Sequence, residues 1–69
     1  MQREYIVSYE PLWQTMRERR ITTYDLTVKH HFNKGTLYRL QHGHNVNIST
    51  IAELCKILDC NVEDVVKIE

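Results

Sequence analysis

Glycine and proline are scarce in this chain: Gly35 and Gly43 are the only glycines and Pro11 the only proline. A glycine-rich phosphate cradle therefore has nowhere to form. No apolar run approaches the roughly eighteen residues that a membrane span needs. The opening decapeptide, MQREYIVSYE, carries acidic residues and no long apolar stretch, so it is not expected to act as a signal peptide. Two cysteines, Cys55 and Cys60, read as reduced thiols rather than a disulfide. Their C-x4-C spacing across a helix end is not a metal-ligand pair, and no CxxC or HxxxH occurs, so neither metal nor cofactor is expected. No Ser/His/Asp grouping stands in a recognisable local context. A core this small also leaves little room for a deep pocket, so neither catalysis nor a small-molecule substrate is expected. Net charge is missing too, with nine cations against nine anions.

What is present describes a folded domain. Hydrophobic content of 42% with 26% charged residues is ordinary for one. At 69 residues the expectation is a single domain, residues 1–69, with only a few kcal/mol of net stability and a use for dimerisation. The charge is also divided. Arg20, Lys29, Lys34 and Arg39 against Asp25 give residues 20–44 a formal +3, and His30, His31, His42 and His44 all lie there. Lys56 and Lys67 against Glu53, Asp59, Glu63, Asp64 and Glu69 give residues 45–69 a formal −3. A molecule basic at one end and acidic at the other can orient on DNA although neutral overall; the plain alternative is an uneven scatter of surface charge.

The centre of the chain is residues 22–43, TTYDLTVKHHFNKGTLYRLQHG. Thr22 is a natural N-cap for a helix of roughly two turns that turns Leu26 inward. His30-His31-Phe32-Asn33 follows, and Asn33 caps a second helix with Leu37 and Leu40 on one face. Gly43 suits the left-handed position that ends it. Two helices across so short a turn must cross steeply, as in a helix-turn-helix.

Around this unit lie simpler elements. Residues 5–8 and 65–68 are β-prone, and would pair with each other or with a second copy, or else fray. A helix starts between Ser8 and Glu10, with Pro11 in its first turn, an apolar side of Leu12, Trp13 and Met16, and Trp13 as a core anchor. Arg17, Arg19 and Arg20 suit its C-terminal end. A polar loop follows Gly43, with only Val46 expected to be buried. Asn47 then caps ISTIAELCKILD, whose apolar positions are Ile48, Ile51, Leu54, Cys55 and Leu58. Cys60 would fill the gap after it, and residues 61–64 read as a last capped turn. The expected fold is mainly α, a bundle of about five short helices with a terminal β-ribbon if the ends pair.

These residues resemble the lambda-repressor/Cro-like (Xre-type) helix-turn-helix family. The pattern stands here as Ile21-Thr22, Leu26, residues 32–37 (FNKGTL), Leu40 and Gly43. It continues as Ile51, Leu54, Cys55 and Leu58, then Cys60, Val62, Asp64 and Val65. The start, residues 8–13, is similar to a subgroup of short bacterial regulators. The resemblance implies a lambda-repressor-like bundle that binds double-stranded DNA sequence-specifically as a homodimer, in the cytoplasm, without catalysis. Asn33, Lys34, Gly35 and Thr36 would open the recognition helix, with Tyr38 and Arg39 on its exposed side. Thr23 would touch phosphate, and His42, His44 and Asn45 would lie along the backbone. Four positions depart from the family pattern. Thr27 replaces a small alanine at the helix–helix approach, and His30 an aliphatic core residue. His31 stands at the positive-φ glycine of the turn, and Gly35 weakens the reading helix.

The chemistry fits that implication. Lys34 and Arg39 can donate to guanine O6 and N7 or to phosphate. Gly35 lets the backbone approach a duplex, and Thr36 offers a hydroxyl and a methyl. Imidazole ordinarily titrates near pH 6.5, so the clustered histidines would strengthen DNA binding as pH falls from about 7.5 to 6. The competing reading is a protein-interaction module on the same scaffold, which zero net charge, His31 and Gly35 favour.

Overall fold

The computed structural model describes residues 5–69, so the first four residues of the opening decapeptide lie outside the described part. In order the chain forms β1 (Val7–Ser8), α1 (Glu10–Arg19), a π-helical turn (Asp25–Lys29), α2 (Lys34–Gln41), α3 (Ile48–Leu58), a 3-10 turn (Val62–Asp64) and β2 (Lys67–Ile68). This is the mainly α architecture expected, with the two termini joined in a ribbon. β1 and β2 are antiparallel, Val7 facing Ile68 and Ser8 facing Lys67. Reciprocal bonds between Ile6 and Glu69, at 3.0 and 2.8 Å, extend the pairing. A lone two-stranded ribbon is marginal in water; this one continues directly into Tyr9 and Val65–Val66, which pack in or against the core.

Helix α1 is opened by Ser8, whose hydroxyl accepts the Glu10 N–H at 3.2 Å, and Pro11 sits in its first turn without loss. Its inner side is Leu12, Thr15 and Met16. Trp13 is a correction: it lies half-buried against the rim of the core rather than anchoring it. At 3.6 residues per turn it stands roughly 100° from the mean direction of Leu12, Thr15 and Met16. The buried Thr15 hydroxyl is satisfied, donating to the Asp64 carbonyl at 2.7 Å and so fastening the 3-10 turn to α1. Arg20 ends the helix in the left-handed region, φ 58°, while the Ile21 N–H donates to the Met16 carbonyl at 2.9 Å, the Schellman closure.

Helix α3 turns Ile51, Leu54 and Leu58 inward. Ile48, expected on that stripe, is 82% exposed. A run of three-residue steps drifts around the helix, and Ile48 lies roughly 90° from the centre of the other three. Cys55, expected as a core residue, drifts part of that way and is half-buried, as are Cys60 and Val46. Asn47 holds the N-cap position, but no side-chain cap bond forms there. Below α3, the Asn61 N–H donates to Asp64 Oδ2 at 3.1 Å and closes the last turn. The core comprises Leu12, Leu26, Leu40, Leu54, Leu58 and Val65, completed by Tyr9, Met16, Phe32, Leu37 and Ile51.

Candidate nucleic-acid interface

The interface begins at a reciprocal cap. The Asp25 N–H donates to Thr22 Oγ1 at 3.1 Å, and the Thr22 N–H donates to Asp25 Oδ2 at 3.0 Å. That bond from the Thr22 backbone, with help from Lys29 3.4 Å away, holds the Asp25 carboxyl below the usual carboxylate range. The helix opens as expected at Thr22, then widens to i→i+5 bonding over Asp25–Lys29, with the His30 N–H donating to the Asp25 carbonyl at 3.2 Å. Thr27 lies in the middle, half-buried. Its hydroxyl back-bonds to the Thr23 and Tyr24 carbonyls at 3.3 and 3.2 Å, a competition that loosens helices.

The widened turn delivers the chain into a tight reversal. His31 adopts φ 56°, the left-handed conformation expected at its position. The Phe32 N–H then donates to the Leu26 carbonyl at 2.9 Å, and its ring enters the core at 3% exposure. His30, which the resemblance placed at a core position, is exposed.

Asn33 caps α2 as expected, its side-chain oxygen accepting the Thr36 N–H at 3.0 Å. Lys34 occupies the first helical position, and no acidic residue balances it in that turn. A cation at the positive end of a helix costs about 0.3–1 kcal/mol, so stability alone does not select it. Leu37 and Leu40 fasten the other side of α2 to the core. Gly43, φ 72°, ends the unit, and the His44 N–H reaches back to the Arg39 carbonyl at 2.8 Å. The free face is centred on Gly35, with Tyr38 and Arg39 one turn later on either side. Tyr38 stacks on His42, ring centroids 4.0 Å apart and planes inclined by 24°. His42 Nδ1 lies 3.0 Å from the Tyr38 carbonyl, so this nitrogen donates there, and His44 meets His42 edge-on at 6.3 Å.

All ten residues expected at the interface are exposed except Thr36, which is half-buried. Five of them, Asn33, Gly35, Thr36, Arg39 and Asn45, converge on one open cleft of about 360 Å³. Lys34, Tyr38, His42 and His44 lie outside it. Thr23 borders a different, apolar hollow of about 400 Å³ with Trp13, Met16, Ile21, Arg17 and Arg20. The cleft adds three residues not foreseen at the interface, Val46, Asn47 and Thr50. Asn47 read as a cap in sequence, but its side chain makes no cap bond; nothing in the helical period marks Thr50.

Among the described residues no group of three or more His, Cys, Asp or Glu is placed to hold a metal ion. No described helix is long and apolar enough to cross a membrane. Residues 11–69 match the family described as the Cro/C1-type HTH DNA-binding domain. No curated protein matches the chain significantly. Among solved structures, the crystal structure of transcriptional regulator VanUg, Form II, superimposes with a TM-score of 0.86 at 24% identity. The likeness covers 99% of this chain and 91% of that one. At that identity it is a likeness of fold.

Proposed function

Because the chain belongs to the Cro/C1-type helix-turn-helix DNA-binding domains, we propose that it is a cytoplasmic, sequence-specific transcriptional regulator that lays α2 in the DNA major groove. Residues 1–69 act as one domain. Lys34, Gly35, Thr36 and Arg39 meet base edges, with Asn33 and Tyr38 beside them. Thr23, His42, His44 and Asn45 meet the phosphate backbone, where they set register rather than sequence. The observation that carries this reading is α2 itself. Leu37 and Leu40 fasten one side to the core, while the opposite side presents Gly35, Tyr38 and Arg39 to solvent with no ion pair to Lys34 or Arg39 among the described residues.

The regulator acts as a homodimer, with the ribbon as contact. Tyr5, Ile6 and Ile68 there are 64–66% exposed, and a two-stranded ribbon leaves hydrogen-bonding edges for a second copy. Two recognition helices on one face of a duplex require half-sites about 10 base pairs apart. Selecting genomic fragments with the purified protein tests the reading and yields the operator with its symmetry. Recovery of random sequence only, or of no DNA at low salt, defeats it.

A protein-interaction module remains the competing reading, favoured by Tyr24, just before the π-helical segment, and Val28 within it, which leave apolar surface open at 67% and 48% exposure. A gel shift with random duplex at low salt separates the two, since the module alone gives no retardation at high micromolar protein.

A further inference from the structure

The two longest helices, α1 and α3, end alike. In α1 the Schellman closure runs from the Ile21 N–H to the Met16 carbonyl, around left-handed Arg20. In α3 the Cys60 N–H donates to the Cys55 carbonyl at 3.0 Å, around left-handed Asp59, φ 51°. This motif brings the side chains at its two ends into contact, normally as an apolar pair. Met16 and Ile21 make such a pair, lining one hollow together. The same two positions in α3 hold thiols. A direct N–H···O=C bond also keeps the two Cα atoms near the spacing that disulfides span, about 4.4–6.8 Å. Both cysteines are free and half-buried, within reach of a small oxidant.

We propose that Cys55 and Cys60 form a redox-active dithiol that closes to an intramolecular disulfide when the protein meets a hydroperoxide. The Cys55 thiolate attacks the peroxide oxygen, forming a sulfenic acid and releasing the alcohol, or water from hydrogen peroxide. Cys60 then attacks the Cys55 sulfur, forming the S–S bond and expelling water. Two thiols are oxidised, one peroxide is reduced, and both thiol protons end in the released products. The division of roles follows from the surroundings of Cys60. Burial first, then the neighbouring Cys55 and Asp64, push its thiol up to about 11, against the opposing pull of Arg19. Cys60 is therefore the poorer nucleophile toward peroxide and serves as the resolving thiol, giving up its proton as it attacks the Cys55 sulfenic acid. These neighbours come from α3, the 3-10 turn and α1, the elements that meet at this corner. The ring would tighten the end of α3 where Arg19 Nη2 donates to the Asp59 carbonyl at 3.1 Å. None of these residues belongs to the α2 surface, so the site stands or falls apart from the DNA-binding reading.

The test uses the intact reduced chain and hydrogen peroxide, with thiols counted by alkylation and located by peptide mapping. Expected are the loss of both alkylatable thiols, a linked 55–60 peptide in monomeric protein, and full recovery with dithiothreitol. Closure should be at least about tenfold faster in native buffer than in urea, because folding supplies the proximity. Cys60→Ser should stop at a Cys55 sulfenic acid that dimedone traps, and Cys55→Ser should leave Cys60 largely unreacted. Two thiols still open to alkylation, chains crosslinked to each other in the wild type, or equal closure rates with and without urea would overturn the proposal.

Discussion

The Tyr9 hydroxyl donates to the main-chain carbonyl of His44 at 2.8 Å, joining positions 35 residues apart. One partner precedes α1 and the other follows α2, so this bond ties the far end of α2 to the ribbon. Tyr9→Phe keeps the buried ring and deletes only the bond. A stability loss of about 1 kcal/mol is expected, or roughly 4–8 °C in Tm for a domain this small. Thermal melts of the two proteins check it, and equal Tm values would show the tether to be idle.

Two left-handed residues bracket α2, and they should respond oppositely to substitution. His31→Gly removes the strain of a side chain at φ 56° but loosens the unfolded chain, for a net gain of up to about 1 kcal/mol. Gly43→Ala adds a Cβ that meets nothing within 4 Å, yet imposes strain at φ 72°, so a loss of about 1 kcal/mol is expected. Urea denaturation midpoints give both signs. A stabilised Gly43→Ala would show that the turn tolerates a different backbone conformation.

Reversing charge on the free face of α2 should separate binding from folding. Lys34→Glu places an anion at the positive end of the helix and should raise stability by a few tenths of a kcal/mol to about 1. Combined with Arg39→Glu it should lower DNA affinity more than about tenfold. The salt slope should flatten by about 0.9 for each phosphate that is no longer neutralised. Fluorescence anisotropy at several salt concentrations reads both quantities. Unchanged affinity would remove these two residues from the interface.

Gly35 sits at the centre of the same face, and an added Cβ would lie 3.1 Å from the capping oxygen of Asn33. Gly35→Ala should therefore gain less than the roughly 1 kcal/mol that helix propensity offers. Its methyl would also stand between helix and duplex, so operator affinity should fall while Tm holds or rises. Tighter binding would mean that the backbone does not approach DNA there.

The pH dependence of folding has a source in Asp25. Its carboxyl is depressed in the native state, so its contribution is present above the unfolded value and is lost as pH falls through the folded one, below about pH 4. Asp25→Asn should flatten that acid limb of the stability curve, and urea midpoints measured between about pH 2 and 6 check it.

The amino-acid sequence by itself determined the helix-turn-helix and its punctuation. Asn33 caps, Gly43 turns left-handed, Leu37 and Leu40 face inward, and the β-prone ends are marked, because each is a property of one residue and its near neighbours; the left-handed turn at His31 was legible only through the family resemblance, since nothing in a histidine favours it. Tertiary structure decided whatever depends on residues far apart in the chain. The termini could have frayed or sought another chain, and their mutual pairing is a matter of global closure. Trp13 and Ile48 carry the right hydrophobicity yet miss the core, since a stripe is buried only where a partner element covers it. Tyr9 and Thr15 find carbonyls 35 and 49 residues away, which no local period can announce. The cleft likewise joins Asn33 and Arg39 to Asn47 and Thr50 only because α2 and α3 meet there, and packing rather than periodicity brings them together.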